Sequence, residues 1–245
     1  MVHALVTGGA SGIGAAVVER LRDRGVDCTI LDLSEPAETS ADQGVLQLAA
    51  DATDEVAVEA AIATATDRFG PLTHAVLSHG IRGAFVPALE MDVESLRRLL
   101  DIHVVGTFVV AKAIVSRLTE GGTRPTQGAS IVTVSSTTAI GGWAQQADYG
   151  TAKAAVAQLS QNLAIEWAPL GVRVNSVAPG MTLTPMVQDL IADGYDVTAT
   201  EARIPMGRLC EPHEMAAAME NLLLDATYTT GVCLPVDGGW TAVGK

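Results

Sequence analysis

HALVTGGASGIG, His3 to Gly14, is the stretch that decides the fold. His3 to Thr7 is a short apolar run that breaks on a glycine-rich loop, and a helical pattern then runs to Arg24 and stops at Gly25. A strand that feeds a helix through such a loop opens a βαβ unit. Glycines at the turn let the backbone close on a pyrophosphate above the helix N-terminus, where N–H groups and the helix dipole favour an anion.

Working outward, the same alternation repeats. Apolar runs at Val26–Leu31, Val45–Ala49, Leu72–Leu77, Ala129–Val134, Val172–Val177 and Val232–Val236 read as six further strands. Helical periodicity falls between them at Asp54–Phe69, at Asp92–Leu118 as one long helix or two, at Gln146–Trp167 and at Glu211–Leu224. Short continuous apolar strands between longer helices predict a parallel sheet covered on both faces. The expected fold is α/β, a Rossmann-type doubly wound parallel sheet of about seven strands. Polar LSEPAETSADQG after Asp32 and the stretch Gly121–Gly128 read as loops, and Met181–Met206 as the least regular part, a candidate flap. No linker or repeat divides the chain, so residues 1–245 are expected to form a single domain.

Composition narrows the function. With 48% hydrophobic and 18% charged residues the chain has enough apolar material for a large core, and aromatics at 4% leave that core to aliphatic side chains. A net charge of −13 disfavours nucleic acid and anionic membrane surfaces as partners. Any phosphate ligand then has to be held mainly by backbone N–H groups. Three cysteines without metal-ligand spacing fit a reducing compartment, so no metal is expected. The opening MVHALVTGGA carries no signal-type pattern, and the apolar run near Val104–Val110 is too short to span a bilayer. The expectation is a soluble, cytoplasmic protein.

One position bears on the chemistry of a bound dinucleotide. Asp32 closes the second strand, where a carboxylate accepts from the 2′-hydroxyl of an adenosine ribose and repels a 2′-phosphate. No Arg or Lys lies in the glycine loop or just after Asp32, so NAD is expected over NADP.

The second constellation is STTAIGGWAQQADYGTAK, Ser136 to Lys153. Tyr149 and Lys153 stand four apart on an expected helix and so share one face. A phenol has a pKa of about 10, and half-ionising it at pH 7 needs a shift of about three units, roughly 4 kcal/mol. An ammonium about 4 Å away supplies about that much at an effective dielectric near 20. A serine hydroxyl beside the pair can orient and polarise a substrate oxygen.

Together these residues resemble the short-chain dehydrogenase/reductase family along essentially the whole chain. TGGASGIG matches its TGxxxGxG loop, Asp51-Ala52-Thr53 its acidic turn at the adenine, and Ser136 with Tyr149 and Lys153 its serine and YxxxK motifs. RVNSVAPG, Arg173–Gly180, and VDGG, Val236–Gly239, match two late signatures. The resemblance implies reversible hydride transfer between a nicotinamide and a secondary alcohol or ketone. Tyr149 exchanges the hydroxyl proton, Ser136 holds the substrate oxygen, and Lys153 tunes Tyr149 and binds the nicotinamide ribose. Gly8, Ser11, Gly12, Ile13, Gly14, Asp32, Asp51, Ala52, Ser78, Gly80, Pro179, Gly180, Thr182 and Thr184 are then the dinucleotide-binding positions. It also implies a homotetramer, with a dimer as the smaller possibility, formed through the helices from Asp92 and around Tyr149.

Two departures stand out. The family's NNAG is here Leu77-Ser78-His79-Gly80, which lacks two amide side chains. The family's NxxG asparagine, which helps hold a water in the proton path, is His103 in HVVG. An imidazole there is open to two roles, a proton relay whose charge changes between about pH 5 and 8, or a structural one. His3, His74 and His213 carry no ligand spacing. Ile81, Phe85, Ile140, Trp143 and Met186 point to an apolar pocket and a hydrophobic or cyclic substrate. The alternatives are a 3-oxoacyl-(acyl-carrier-protein) reductase-like enzyme and a catalytically decayed dinucleotide-binding sensor.

Overall fold

The computed structural model describes residues 2–35, 44–122, 125 and 128–243. Much of the polar stretch expected after Asp32, and part of the loop expected at Gly121–Gly128, lie outside them. Seven strands form one sheet: β1 (His3–Thr7), β2 (Asp27–Asp32), β3 (Val45–Ala49), β4 (His74–Leu77), β5 (Ala129–Val134), β6 (Val172–Pro179) and β7 (Cys233–Val236). Their order is β3-β2-β1-β4-β5-β6-β7, and every pairing is parallel. The chain winds outward from β1 to β3, crosses back, and winds the other way from β4. The reversal between β1 and β4 leaves a crevice at the carboxyl ends of the strands.

Helices cover both faces: α1 (Gly12–Asp23), α2 (Glu55–Phe69), α3 (Val93–Leu100), α4 (Gly106–Leu118), α5 (Ala147–Trp167), α6 (Pro185–Ala192), α7 (Val197–Arg203) and α8 (Pro212–Glu220). Alternate strand residues feed two cores. Leu5, Ala75, Leu77 and Ile131 pack with Ile62, Ile114 and Leu163 on one side. Ala4, Val6, Val76 and Val132 pack with Val17, Leu21, Met215 and Leu223 on the other. Each such Val, Leu, Ile or Met side chain contributes about 1.5–3 kcal/mol by leaving water, so the aliphatic strands bind helices on both faces. Glu220, at the end of α8, receives Arg20 of α1 and Arg24, which caps α1, at 2.6 Å each and fixes those two helices together.

Two expectations are sharpened. The run expected as one long helix or two is continuous from Val93 to Leu118, with a π-helical turn, Asp101–Val105, joining α3 to α4. Gly106 N–H donates to the Asp101 carbonyl five residues back, so the turn is wider than an α turn. By length and composition this 26-residue helix is apolar enough to cross a membrane, but half of its most apolar window is buried in the fold. The stretch Met181–Met206, expected as the least regular part, contains α6 and α7. Thr184 caps α6 ahead of Pro185, and Asp196 caps α7, accepting from Thr198 N–H at 2.9 Å.

Candidate active site

The carboxyl ends of the strands open on one cleft of about 440 Å³. All the expected positions line it: Gly8, Ser11, Gly12, Ile13 and Gly14 after β1, Asp32 after β2, Asp51 and Ala52 after β3, and Ser78 and Gly80 after β4. His103, Ser136, Tyr149, Lys153, Pro179, Gly180, Thr182 and Thr184 complete the set.

At one end the cleft is made of backbone. Gly8 and Gly12 take left-handed conformations, φ +64° and +55°. A Cβ on Gly14 would strike the Gly8 carbonyl and come within 2.9 Å of Ser78 Oγ, so the loop closes only with glycine there. Ser11 N-caps α1 without a side-chain bond, leaving its hydroxyl off the first-turn N–H groups. Asp32 is fixed by three donors: Ala10 N–H at 3.1 Å, Ser34 N–H at 3.0 Å and the Ser34 hydroxyl at 2.9 Å. Asp51 folds its own turn by accepting from the Thr53 N–H at 2.9 Å and the Thr53 hydroxyl at 2.8 Å. A side-chain-free cradle over a helix N-terminus, with a carboxylate at the end of the next strand, fits a dinucleotide.

The missing amides of the Ser78-His79-Gly80 turn are replaced by other bonds. Ser78 donates to the Thr7 carbonyl at 2.6 Å. His79 bridges the cleft floor, with Nδ1 against the Thr7 hydroxyl at 2.7 Å and Nε2 against the Ile102 carbonyl at 3.1 Å. The Ile102 carbonyl only accepts, so Nε2 carries the proton and Nδ1 accepts from Thr7. Burial, helped by the Lys153 charge, pulls the His79 pKa down to about 4, and the ring is neutral at pH 7. Reading the sequence motif for motif missed this residue; a polar side chain directly after a buried strand was its only signal.

At the other end the cleft is made of side chains. Tyr149 and Lys153 share a face of α5 against Ser136, which follows β5. The Lys153 ammonium donates to the Val134 carbonyl at 2.8 Å and lies 5.5 Å from the Tyr149 ring centroid. The electrostatic expectation for this pair is corrected here. Burial pushes the Tyr149 phenol up to about 12, only partly offset by a hydrogen bond with Ser136. Burial also pulls Lys153 down to about 7. The ammonium is anchored on a backbone carbonyl rather than on the phenolic oxygen, and desolvation outweighs its field.

His103 is corrected too. It projects from the π turn, 2% exposed, with Nε2 3.0 Å from the Ile81 carbonyl and 3.4 Å from the Ile81 N–H, the shorter contact assigning it the proton, and its ring edge-on to Tyr149 at 5.7 Å. Desolvation and the Lys153 charge lower its pKa to about 2. Burial therefore favours the neutral ring between pH 5 and 8, against the change of charge that a relay in that range would use. Its Nδ1 is buried without a partner among the described residues, an acceptor facing Gly80, where a Cβ would lie 2.8 Å away.

Loop Ile81–Phe85 crosses directly in front of Tyr149. Buried Asp148 holds it there, accepting from Ala84 N–H at 2.8 Å and from Tyr149 N–H at 2.7 Å. Ile81, Phe85, Trp143 and Met186 form the outer wall as expected, together with Met181 and Leu190. Ile140 is half exposed and outside the lining. Trp143 is braced from behind by Trp240, stacked at 4.9 Å, and Arg203 lies over Trp240 at 4.2 Å.

Comparison with known proteins matches residues 8–241 to the family described as Enoyl-(Acyl carrier protein) reductase. The chain is 40% identical to a cis-4-hydroxycyclohexanecarboxylate dehydrogenase of Sinomonas cyclohexanicum, covering 98% of this chain and 96% of that one. The chain belongs to the short-chain dehydrogenase/reductase family. It is also 36% identical to a 2,5-dichloro-2,5-cyclohexadiene-1,4-diol dehydrogenase of Sphingobium indicum, with 98% and 96% covered. Among solved structures, a 3-ketoacyl-(acyl-carrier-protein) reductase from Brucella melitensis complexed with NADH superposes with a TM-score of 0.86 at 29% identity, covering 98% of each chain. As a short-chain dehydrogenase/reductase, the protein is an oxidoreductase of the alcohol dehydrogenase/ketone reductase type that uses a nicotinamide dinucleotide.

Proposed function

We propose that this enzyme is an NAD-dependent dehydrogenase of ring-borne secondary alcohols that also reduces the matching ketones. The observation that carries the reading is a single cleft with the fixed Asp32 carboxylate at one end and Ser136, Tyr149 and an apolar wall at the other. The similar dehydrogenases with a cyclohexane or cyclohexadiene substrate in their names support the ring.

In this reading Ser136 and Tyr149 clasp the substrate oxygen, and Tyr149 takes up or returns its proton. The bound nicotinamide supplies the hydride acceptor or donor. Lys153 holds the nicotinamide ribose and faces Tyr149 with whatever charge its burial leaves it. His103 orders polar contacts beside Tyr149 as a neutral acceptor. The Gly8–Gly14 loop, Ser78, Gly80, Pro179, Gly180, Thr182 and Thr184 embrace the dinucleotide, Asp51 and Ala52 border its adenine, and Asp32 selects NAD. With Tyr149 raised to about 12, the phenolate is scarce at neutral pH. Oxidation then accelerates with rising pH, while reduction, which uses the neutral phenol as acid, runs near neutrality.

A 3-oxoacyl-(acyl-carrier-protein) reductase is the second reading, supported by the solved neighbour. We further place the protein, as a single domain over residues 1–245, in the cytosol as a homotetramer. Three cysteines that form no disulfide among the described residues, and outward-facing Val105 and Phe108 on the α3–α4 helix with Ile165 on α5, support that placement.

The test is NAD(P)H formation with cyclohexanols, 4-hydroxycyclohexanecarboxylate and its methyl ester, linear secondary alcohols and a 3-hydroxyacyl thioester, each with NAD and NADP. Turnover of ring alcohols with NAD is expected. Turnover of the thioester alone would transfer the assignment to the second reading.

A further inference from the structure

The outer wall of the cleft is apolar with one exception, Arg82. Among the described lining residues only Arg82 and Lys153 are permanently or readily cationic, and Lys153 is committed to the catalytic end. Arg82 also borders an adjoining hollow of about 450 Å³, whose lining holds a second guanidinium, Arg98, and Asp193.

The backbone that carries Arg82 is clamped on both sides. Ile81 is held through its carbonyl by His103, and Ala84 through its N–H by Asp148. Gly83 runs so close to α5 that a Cβ there would lie 2.9 Å from Tyr149 Cβ. One buried carboxylate, Asp148, thus joins the Arg82 loop and the backbone of Tyr149, and Arg82 starts at a fixed offset from the reacting phenol.

The guanidinium itself is not committed. Nη1 donates to Asp193 at 2.9 Å, but the two side chains are 51% and 62% exposed. An exposed pair of this kind is worth about 0–1 kcal/mol, so an incoming anion displaces it at little cost. A planar guanidinium also offers five donors, enough for a bidentate carboxylate. At −13 net charge the protein as a whole repels anions, but that field is screened over about 8 Å in physiological salt, leaving the local cation to decide.

We propose that Arg82 is a specificity-determining residue that binds a carboxylate on the far side of the substrate ring from the reacting hydroxyl, exchanging Asp193 for it. The substrate class is then a hydroxy acid on a carbocycle. This rests on the reading of the enzyme as a ring-alcohol dehydrogenase.

The test compares kcat/KM of the holoenzyme for 4-hydroxycyclohexanecarboxylate and for its neutral methyl ester. The acid-to-ester ratio should exceed one in the native protein and fall about 10- to 100-fold in Arg82→Gln, the loss expected for a charged hydrogen bond. In Asp193→Asn the ratio should rise, because the competing carboxylate is gone. An Arg82→Gln effect equal on both substrates would make the residue a latch for α6 and overturn the proposal, with the dehydrogenase reading left standing. Oxidation of plain cyclohexanols with both compounds inert would overturn the proposal alone; should no ring alcohol be oxidised, the ring-alcohol reading fails, and cyclohexanecarboxylate becomes the probe. A rise in melting temperature of the NAD-loaded protein that Arg82→Gln abolishes would retain the anion site. No rise in the native protein would reject it.

Discussion

The two ends of the cleft are built in opposite ways. The dinucleotide end is backbone: a loop too tight for any Cβ at Gly14, N–H groups at the start of α1, and one carboxylate fixed by three local donors. The substrate end is side chain, assembled from three distant segments. Loop Ile81–Phe85 is fixed by Asp148, α6 supplies Met186 and Leu190, and Trp143 leans on Trp240 from the end of the chain. A cradle for pyrophosphate has one job, and backbone geometry does it. A substrate wall changes with single side chains while the cradle stays as it is.

Tyr149 sits at the seam, and its loss separates the two ends most sharply. Tyr149→Phe keeps the ring that packs edge-on against His103 but removes the only phenol in the cleft lining. Turnover should fall by about 10²–10⁴, the usual worth of a positioned acid/base, while NAD affinity by fluorescence titration stays within about threefold. Surviving turnover would remove Tyr149 from the chemistry. A parallel loss of NAD affinity would mean that the two ends are not separable.

The same contrast explains what the sequence made legible. All seven strands were readable because a strand buried on both faces must be a continuous apolar run, as at Leu5–Val6 and Ile131–Val132. The glycine loop was readable because its spacing is itself the geometry, and the other positions expected for a dinucleotide line the same cleft. The helices α6 and α7 were not, although Thr184-Pro185 and Asp196 are start signals, because helices this short carry little periodicity. Asp148, Arg82 and His79 act through partners 64, 111 and 72 residues away, and no local pattern announces such contacts. The ionisation of the Tyr149–Lys153 pair also escaped. Spacing along a helix gives the face but not the solvent, and here burial sets both pKa values.

A smaller effect belongs to the dinucleotide end. Asp32→Ala removes the carboxylate proposed to face the ribose and frees Ala10 N–H and the Ser34 donors. The ratio of kcat/KM for NAD over NADP should drop by about 10-fold or more, the cost of one charged hydrogen bond together with relief of repulsion. With ring alcohols the relative rates across substrates should not change. A reordered substrate preference would show the two ends to be coupled, and an unchanged cofactor ratio would take Asp32 out of the site.

The smallest expected effect is at His103, which touches both ends. Burial pulls its folded pKa down to about 2, below the ordinary 6.5, which favours the neutral ring across the neutral range. A group held neutral cannot produce a limb in a pH–rate profile between pH 5 and 8. The cleft residue that titrates near neutrality is Lys153, at about 7. His103→Asn should therefore leave a limb in that range where it is, and Lys153→Met should remove it. Stability should respond instead. The unfolded chain protonates this histidine near 6.5 while the native fold does not, so its burial costs stability progressively as pH falls below 6.5. Replacing it with an uncharged amide should flatten the fall in melting temperature between pH 6.5 and 4.5. His79 and His74, each pulled down to about 4, and His3, also lowered by burial, add slope in the same direction. If the pH–rate limb moves in His103→Asn while the melting profile stays put, the imidazole is ionised in the working enzyme, and the neutral assignment fails.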